Sequence, residues 1–104
     1  MAPGFIDTHS HHRGYLQKQP AALATISQGI TTIVSGQDGY GSYADSIMAD
    51  MRKQPVATNI ATYTGHTALR ELVMGAGQLN RPAKEAELEK MKTILADEMK
   101  KGSL

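Results

Sequence analysis

The sequence predicts an α/β fold of parallel βα units. Three observations predict it. Apolar or β-branched runs recur at Phe5 to His9, Thr31 to Ser35 and Val56 to Tyr63, and such residues suit the pleated, half-buried surface of a strand. The stretches between and after them carry helix signals, with proline at entry or glycine at exit. Strands alternating with helices make βαβ crossovers, which join parallel strands.

Each element follows in order. The first strand runs into Asp7-Thr8-His9-Ser10-His11-His12-Arg13. Pro20 to Gln28 reads as a short helix, stopped by Gly29. The second strand ends in a loop, Gly36-Gln37-Asp38-Gly39-Tyr40-Gly41. Ser42, with Asp45 three residues on, resembles a helix N-terminal capping pair. Ala44, Ile47, Met48 and Met51 then fall at helical spacing. Pro55 enters the third strand, and Gly65 to Met74 reads as a loop or a short helix. Pro82 opens the last helix, with an apolar stripe of Leu88, Met91, Leu95 and Met99 and a stop at Gly102. Its opposite face carries mixed charges, Glu87 with Lys90 and Asp97 with Lys101, and reads as solvated. The order is β-α-β-α-β-(loop)-α. Three such units make an open sheet with two unpaired edges, or about three-eighths of an eight-stranded (β/α) barrel. No repeat or linker divides the chain, so residues 1–104 read as a single partial domain.

Composition excludes several function classes. Eleven basic and ten acidic residues leave a formal charge of +1. No basic stripe interleaved with aromatics marks a nucleic-acid binder. No run approaches the ~20 apolar residues that span a bilayer, and no signal peptide precedes the first strand. The chain has no cysteine, which excludes disulfides and thiolate ligands and fits a cytoplasmic setting. With no Trp and one Phe, the core is light and built from aliphatics, Met and Ala.

The chemistry gathers at one end of the strands. On a strand, residues i and i+2 share a face roughly 7 Å apart. His9 and His11 can therefore converge on one cation, at Zn–N distances of about 2.0–2.1 Å. Asp7 shares their parity, whereas His12 does not and reads as supporting or exposed. Asp38 lies just past the second strand and His66 just past the third. In a parallel sheet or barrel these positions share the C-terminal face, where active sites form. Asp38 alone also suits a tight turn in Gln-Asp-Gly. Arg70 and Arg13 are candidates to bind an anionic substrate group bidentately. Gly36, Gly39 and Gly41 do not match a phosphate loop or a dinucleotide fingerprint. No nucleophilic serine elbow is present. Tyr40, Tyr43 and Tyr63 line a pocket or pack.

These residues carry a resemblance. Pro3-Gly4-Phe5-Ile6-Asp7-Thr8-His9-Ser10-His11 resembles the first barrel strand of the metal-dependent amidohydrolase superfamily. Gln28-Gly29-Ile30-Thr31-Thr32-Ile33-Val34 resembles the second-strand entry of its N-acyl-D-amino-acid deacylase (D-aminoacylase) branch. Gly65-His66-Thr67-Ala68-Leu69-Arg70 with Val73-Met74-Gly75 is similar to the segment after strand three in that branch. The resemblance implies the first three βα units of a (β/α)8 TIM-type barrel, incomplete in this chain. It implies hydrolysis of the amide of an N-acyl-D-amino acid with one or two zinc ions. His9 and His11 then correspond to the strand-one metal ligands. Branch members with a cysteine ligand place it in Asn-Cys-Gly after strand two; here Gln37-Asp38-Gly39 stands there, and Asp38 takes over as an oxygen ligand. That harder ligand set also admits manganese. Asp7, His66 and Arg70 remain as substrate-binding or supporting residues.

The family's further histidine ligands and its catalytic Asp, from later strands, have no counterpart in this chain. The expectation is therefore a fragment of an amidohydrolase whose general base lies elsewhere, inactive alone and prone to self-association. Its full-length parent would take a small N-acyl amino acid, with no nucleic-acid or membrane partner. The alternative is a stand-alone α/β scaffold or interaction module with a degenerate metal site.

Overall fold

The three strands form one parallel sheet in the order β1 (Phe5–Asp7), β2 (Ile30–Ser35), β3 (Asn59–Thr62). The structure, a computed structural model, describes residues 2–104. Helices α1 (Arg13–Lys18) and α2 (Leu23–Ile26) connect β1 to β2, and α3 (Ala44–Lys53) connects β2 to β3. Helices α4 (His66–Met74) and α5 (Glu85–Lys100) follow. Consecutive strands are neighbours in the sheet, each linked through helix, as in successive units of a (β/α) barrel.

Register explains the core. Ile33 of β2 stands opposite Ile60 of β3. Their branched side chains meet Leu16 of α1 and Ala22, with Ile30 and Val56 at the margin. A second cluster joins α4 to α5 through Leu69, Met74 and Met91, with Tyr43, Val73, Ala83 and Ile94 packed against it. Two small clusters do not draw the chain into a sphere. The radius of gyration is 15.6 Å and the long axis 51 Å, whereas a compact chain of this length has a radius near about 13 Å.

Several elements depart from the sequence reading. Helix α1 was not expected: Gly14 weakens it and no side chain caps it. The helix expected from Pro20 starts only at Leu23, because Ala22 takes a left-handed φ of 49°. Strands β1 and β3 are shorter than their apolar runs, whereas β2 begins one residue earlier, at Ile30. Gly65 to Met74 resolves as a helix with Gly65 as its N-cap. Helix α5 starts after Lys84, whose backbone N–H donates to Glu87 Oε2 at 2.7 Å. Its inward face is Met91, Ile94 and Glu98, while Leu88, Leu95 and Met99 of the expected stripe are exposed.

Ser42 does not cap α3. Arg13 Nη1 donates to its hydroxyl, and Tyr43 is the N-cap residue. The first N–H of α3, on Ala44, instead donates to Glu98 Oε2 at 2.6 Å, across from α5. Phe5 and Ile6 are exposed, 70% and 62% respectively, on the edge strand β1. Ile33 is fully buried because α1 and α2 fold over its face of the sheet. Among the described residues no helix is long and apolar enough to cross a membrane.

Candidate metal centre

Strand β1 ends at Asp7, yet the chain continues alongside β2: the Ser10 N–H donates to the Val34 carbonyl at 2.9 Å. His9 and His11 therefore keep the same side, with ring centroids 5.3 Å apart. Asp38 comes from the one-turn 3-10 segment Gln37–Gly39 that follows β2. It holds a left-handed φ of 61°, a conformation that Asp tolerates better than most residues. This places Asp38 Oδ2 at 3.2 Å from His9 Nε2 and 3.1 Å from His11 Nε2. Among the described residues these three form the one group of His or acidic side chains with ligand atoms all within 4.8 Å.

Glycines make the loop possible. A Cβ on Gly41 would lie 2.5 Å from the Tyr63 carbonyl oxygen and 2.6 Å from the Gly65 nitrogen. One on Gly36, where φ is 93°, would overlap the same carbonyl. The spacing that does not fit a phosphate loop is thus a spacing for close approach. It lets the turn bearing Asp38 lie directly on the backbone after β3. Gln37 pins the turn from the other side: its Nε2 donates to Thr8 O at 2.7 Å and to Val34 O at 3.0 Å.

The remaining candidates lie differently. Asp7 Oδ1 accepts the His9 N–H at 3.2 Å, so it shapes the turn beneath the cluster without joining it. His12 Nδ1 lies 3.2 Å from Ser10 Oγ. His66 is exposed at the start of α4 and outside the cluster. Arg70 Nη2 donates to the carbonyls of Leu79 and Arg81, at 2.9 and 2.7 Å. Through that nitrogen Arg70 holds the loop before α5. Arg13 instead lines a cavity of about 210 Å³ that opens beside His11 and Asp38, together with Ser10, Gln37, Tyr40 and Ser42. Gln37 was missed in the sequence; its place next to Asp38 was the available signal.

The donor set fits a divalent cation. Two imidazole nitrogens and one carboxylate oxygen converge, all solvent-accessible, and among the described residues no Lys or Arg side chain pairs with Asp38. Such N/N/O sets hold zinc, and with no thiolate they also admit harder first-row metals.

No family model matches the chain. The N-acyl-D-aspartate deacylase of Alcaligenes xylosoxydans xylosoxydans is 32% identical over 99% of this chain and 25% of its own length. A D-aminoacylase with a binuclear metal centre superposes with a TM-score of 0.78 at 29% identity, over 97% of this chain and 26% of the other. The N-acyl-D-glutamate deacylase of Bordetella bronchiseptica, solved with zinc and a phosphonate mimic of the tetrahedral intermediate, gives 0.78 at 25% identity, over 95% and 25%. The chain spans about a quarter of the length of these relatives. It is a relative, over essentially its whole length, of the N-acyl-D-amino-acid deacylases known as D-aminoacylases.

Proposed function

We propose that this chain carries the first metal-binding half-site of a D-aminoacylase-type amidohydrolase, which cleaves the amide of N-acyl-D-amino acids in a cytoplasmic setting. The observation that carries the reading is the convergence of His9 Nε2, His11 Nε2 and Asp38 Oδ2. A zinc ion held there would lower the pKa of a bound water and polarise an amide carbonyl. Asp38 offsets the cation's charge, and the paired imidazoles leave room on the open side for substrate. Asp7 and Gln37 keep the ligand-bearing turns in place through backbone hydrogen bonds.

Three ligands in an exposed site bind weakly, so we expect partial zinc occupancy in the isolated chain. Titration calorimetry with zinc on wild type and on His9→Ala/His11→Ala tests it. Equal binding by both would overturn the site. We further expect no turnover of N-acetyl-D-amino acids by the isolated chain, because no general base lies at the cluster and water floods it. Turnover that disappears in His11→Ala would overturn that expectation.

A further inference from the structure

Helix α5 ends against the wall on which the Asp38 turn rests. That wall is the backbone from Tyr63 to Thr67, just past β3. A Cβ on Gly36 or Gly41 would strike the Tyr63 carbonyl, and one on Gly65 would strike the Gly41 nitrogen and the Gly39 carbonyl. One on Gly39 would lie 2.5 Å from Thr67 Oγ1. At the root of the turn, the Tyr63 N–H donates to Ser35 O at 2.9 Å. Segments packed this closely move together, because a protein interior compresses little and transmits displacement. Where the wall sits therefore sets where Asp38 sits.

The wall is held from behind by Ser103, which is 7% exposed. Gly102, with φ 107°, turns the chain back after α5. The Ser103 N–H then donates to Glu98 O at 3.0 Å, and the Leu104 N–H to Thr62 O at 2.9 Å. Ser103 Oγ accepts the Thr64 N–H and the Thr64 hydroxyl, both at 2.9 Å, and donates to Leu104 O at 3.4 Å. The same end of α5 holds the exit of the Asp38 loop, where Glu98 Oε2 accepts the Ala44 N–H at 2.6 Å. One helix end thus grips both the floor of the loop and its exit. Ser103 is not itself part of the metal cluster.

We propose that Ser103 is a positioning residue of the metal centre. Through Thr64 and the wall, its hydroxyl holds the Asp38 turn at its distance from His9 and His11, from the side opposite Gln37. The proposal rests on the metal reading, and the metal-free chain gives it a separate readout. Groups bonded directly to a metal ligand matter by about 10–100-fold in affinity. Ser103 acts one step further out, so its hydroxyl is worth about threefold to tenfold.

The test compares the 104-residue chain with Ser103→Ala, Ser103→Thr and Thr93→Ala. The last is the control: it removes another α5 hydroxyl, exposed and bonded only to Glu89 O. Zinc affinity comes from competition against a chelator, and the absorption spectrum of bound cobalt(II) reports coordination geometry. The amide resonances of Gly36 to Gly41 are followed without metal. Ser103→Ala should bind zinc about threefold to tenfold more weakly, change the cobalt spectrum and shift the Asp38 and Gly39 amides. Ser103→Thr keeps the hydroxyl and should restore the wild-type spectrum, and Thr93→Ala should alter nothing. A role in stability alone would lower the thermal midpoint and leave the cobalt spectrum of the folded protein as it is. Should Ser103→Ala fail to fold, Thr64→Val takes its place, since it removes the hydroxyl contact from the other end while keeping the shape. Unchanged zinc affinity and cobalt spectrum in the folded variant overturn the positioning role. If the wild type binds no zinc, the metal reading falls, and the metal-free amides decide the tether: shifted in Ser103→Ala they support it, unmoved they overturn it.

Discussion

Gln37 Nε2 donates to the carbonyl of Thr8 at 2.7 Å, tying the turn that bears Asp38 to the residue just before His9. The same nitrogen reaches Val34 O at 3.0 Å. One amide therefore fixes the separation between the two halves of the cluster, from a position that contributes no ligand.

Gln37→Leu removes both bonds while keeping much of the volume. Residues that orient ligands typically matter by 10–100-fold in metal affinity. We expect zinc affinity to fall by about tenfold, with circular dichroism unchanged. Competition against a chromophoric chelator measures it. Unchanged affinity would show that the glycine contacts alone set the geometry.

Gly36→Ala acts on the same turn by another route. Its φ of 93° disfavours a side chain, and the added Cβ would overlap the Tyr63 carbonyl. Left-handed strain and displacement of a backbone carbonyl together cost roughly 2 kcal/mol or more. The expected result is a lower thermal midpoint together with lost zinc binding. Gly77→Ala, where nothing lies within 4 Å of the new Cβ, is the control and should do neither.

Much of this arrangement was legible in the sequence, for physical reasons that also mark where legibility ends. Period carried the parallel strands, because side-chain direction on an extended chain is fixed by geometry, while His9 and His11, read as strand neighbours, come together just past the end of β1. Position at the strand ends carried Asp38. What stayed hidden depends on contacts distant in sequence. Ser42 and Asp45 have the local signature of a cap, yet Arg13 takes the serine hydroxyl and Glu98, 54 residues on from Ala44, supplies the cap. Arg70 and Arg13 look alike along the chain; one holds carbonyls and the other faces the cavity. Ile33 is buried by helix α1, which has no local signal of its own.

Glu98 is a long-range helix cap. Its buried carboxylate accepts the Ala44 N–H at 2.6 Å and lies 3.3 Å from Lys101 Nζ. Glu98→Ala leaves the α3 N-terminus without a partner in a buried place. Losing a cap bonded to a charged acceptor costs about 2 kcal/mol. Urea unfolding should report that loss, with Glu98→Gln intermediate. A neutral result for Glu98→Ala would mean that water replaces the cap.

Acid sensitivity has an identifiable source in Glu87. The Arg81 side chain donates to both its oxygens, at 2.6 and 2.8 Å, and the Lys84 N–H adds a third bond. Together they lower its pKa from the usual 4.5 to about 2, the Arg81 hydrogen bonds first among the causes. The folded state thus holds its proton less tightly than the unfolded one. The contribution is complete above pH 4.5 and disappears as the pH falls to about 2. Denaturant midpoints across that window should decline, and Glu87→Gln should flatten this part of the decline. Because the pair is solvent-accessible, high salt should shrink the effect. An unaltered profile in Glu87→Gln would place the sensitivity elsewhere.

Association follows from the sheet's open sides. Strand β1 pairs only with β2, and it carries Phe5 and Ile6 at 70% and 62% exposure. An apolar edge strand with unpaired N–H and C=O groups is a template for another strand. At the other side the Leu104 N–H already donates to Thr62 O beside β3, at 2.9 Å, so that edge accepts a neighbouring chain segment. The clusters that would resist such pairing by stabilising a monomer are small. The isolated chain is therefore expected to self-associate through β1, with the weight-average mass rising across a dilution series in light scattering. Ile6→Lys should suppress the rise, since a charge on an edge strand opposes pairing, while leaving the circular dichroism spectrum intact. A wild type that stays monomeric at all concentrations, with one sharp thermal transition, would show that the two clusters suffice and that the exposed edge is tolerated.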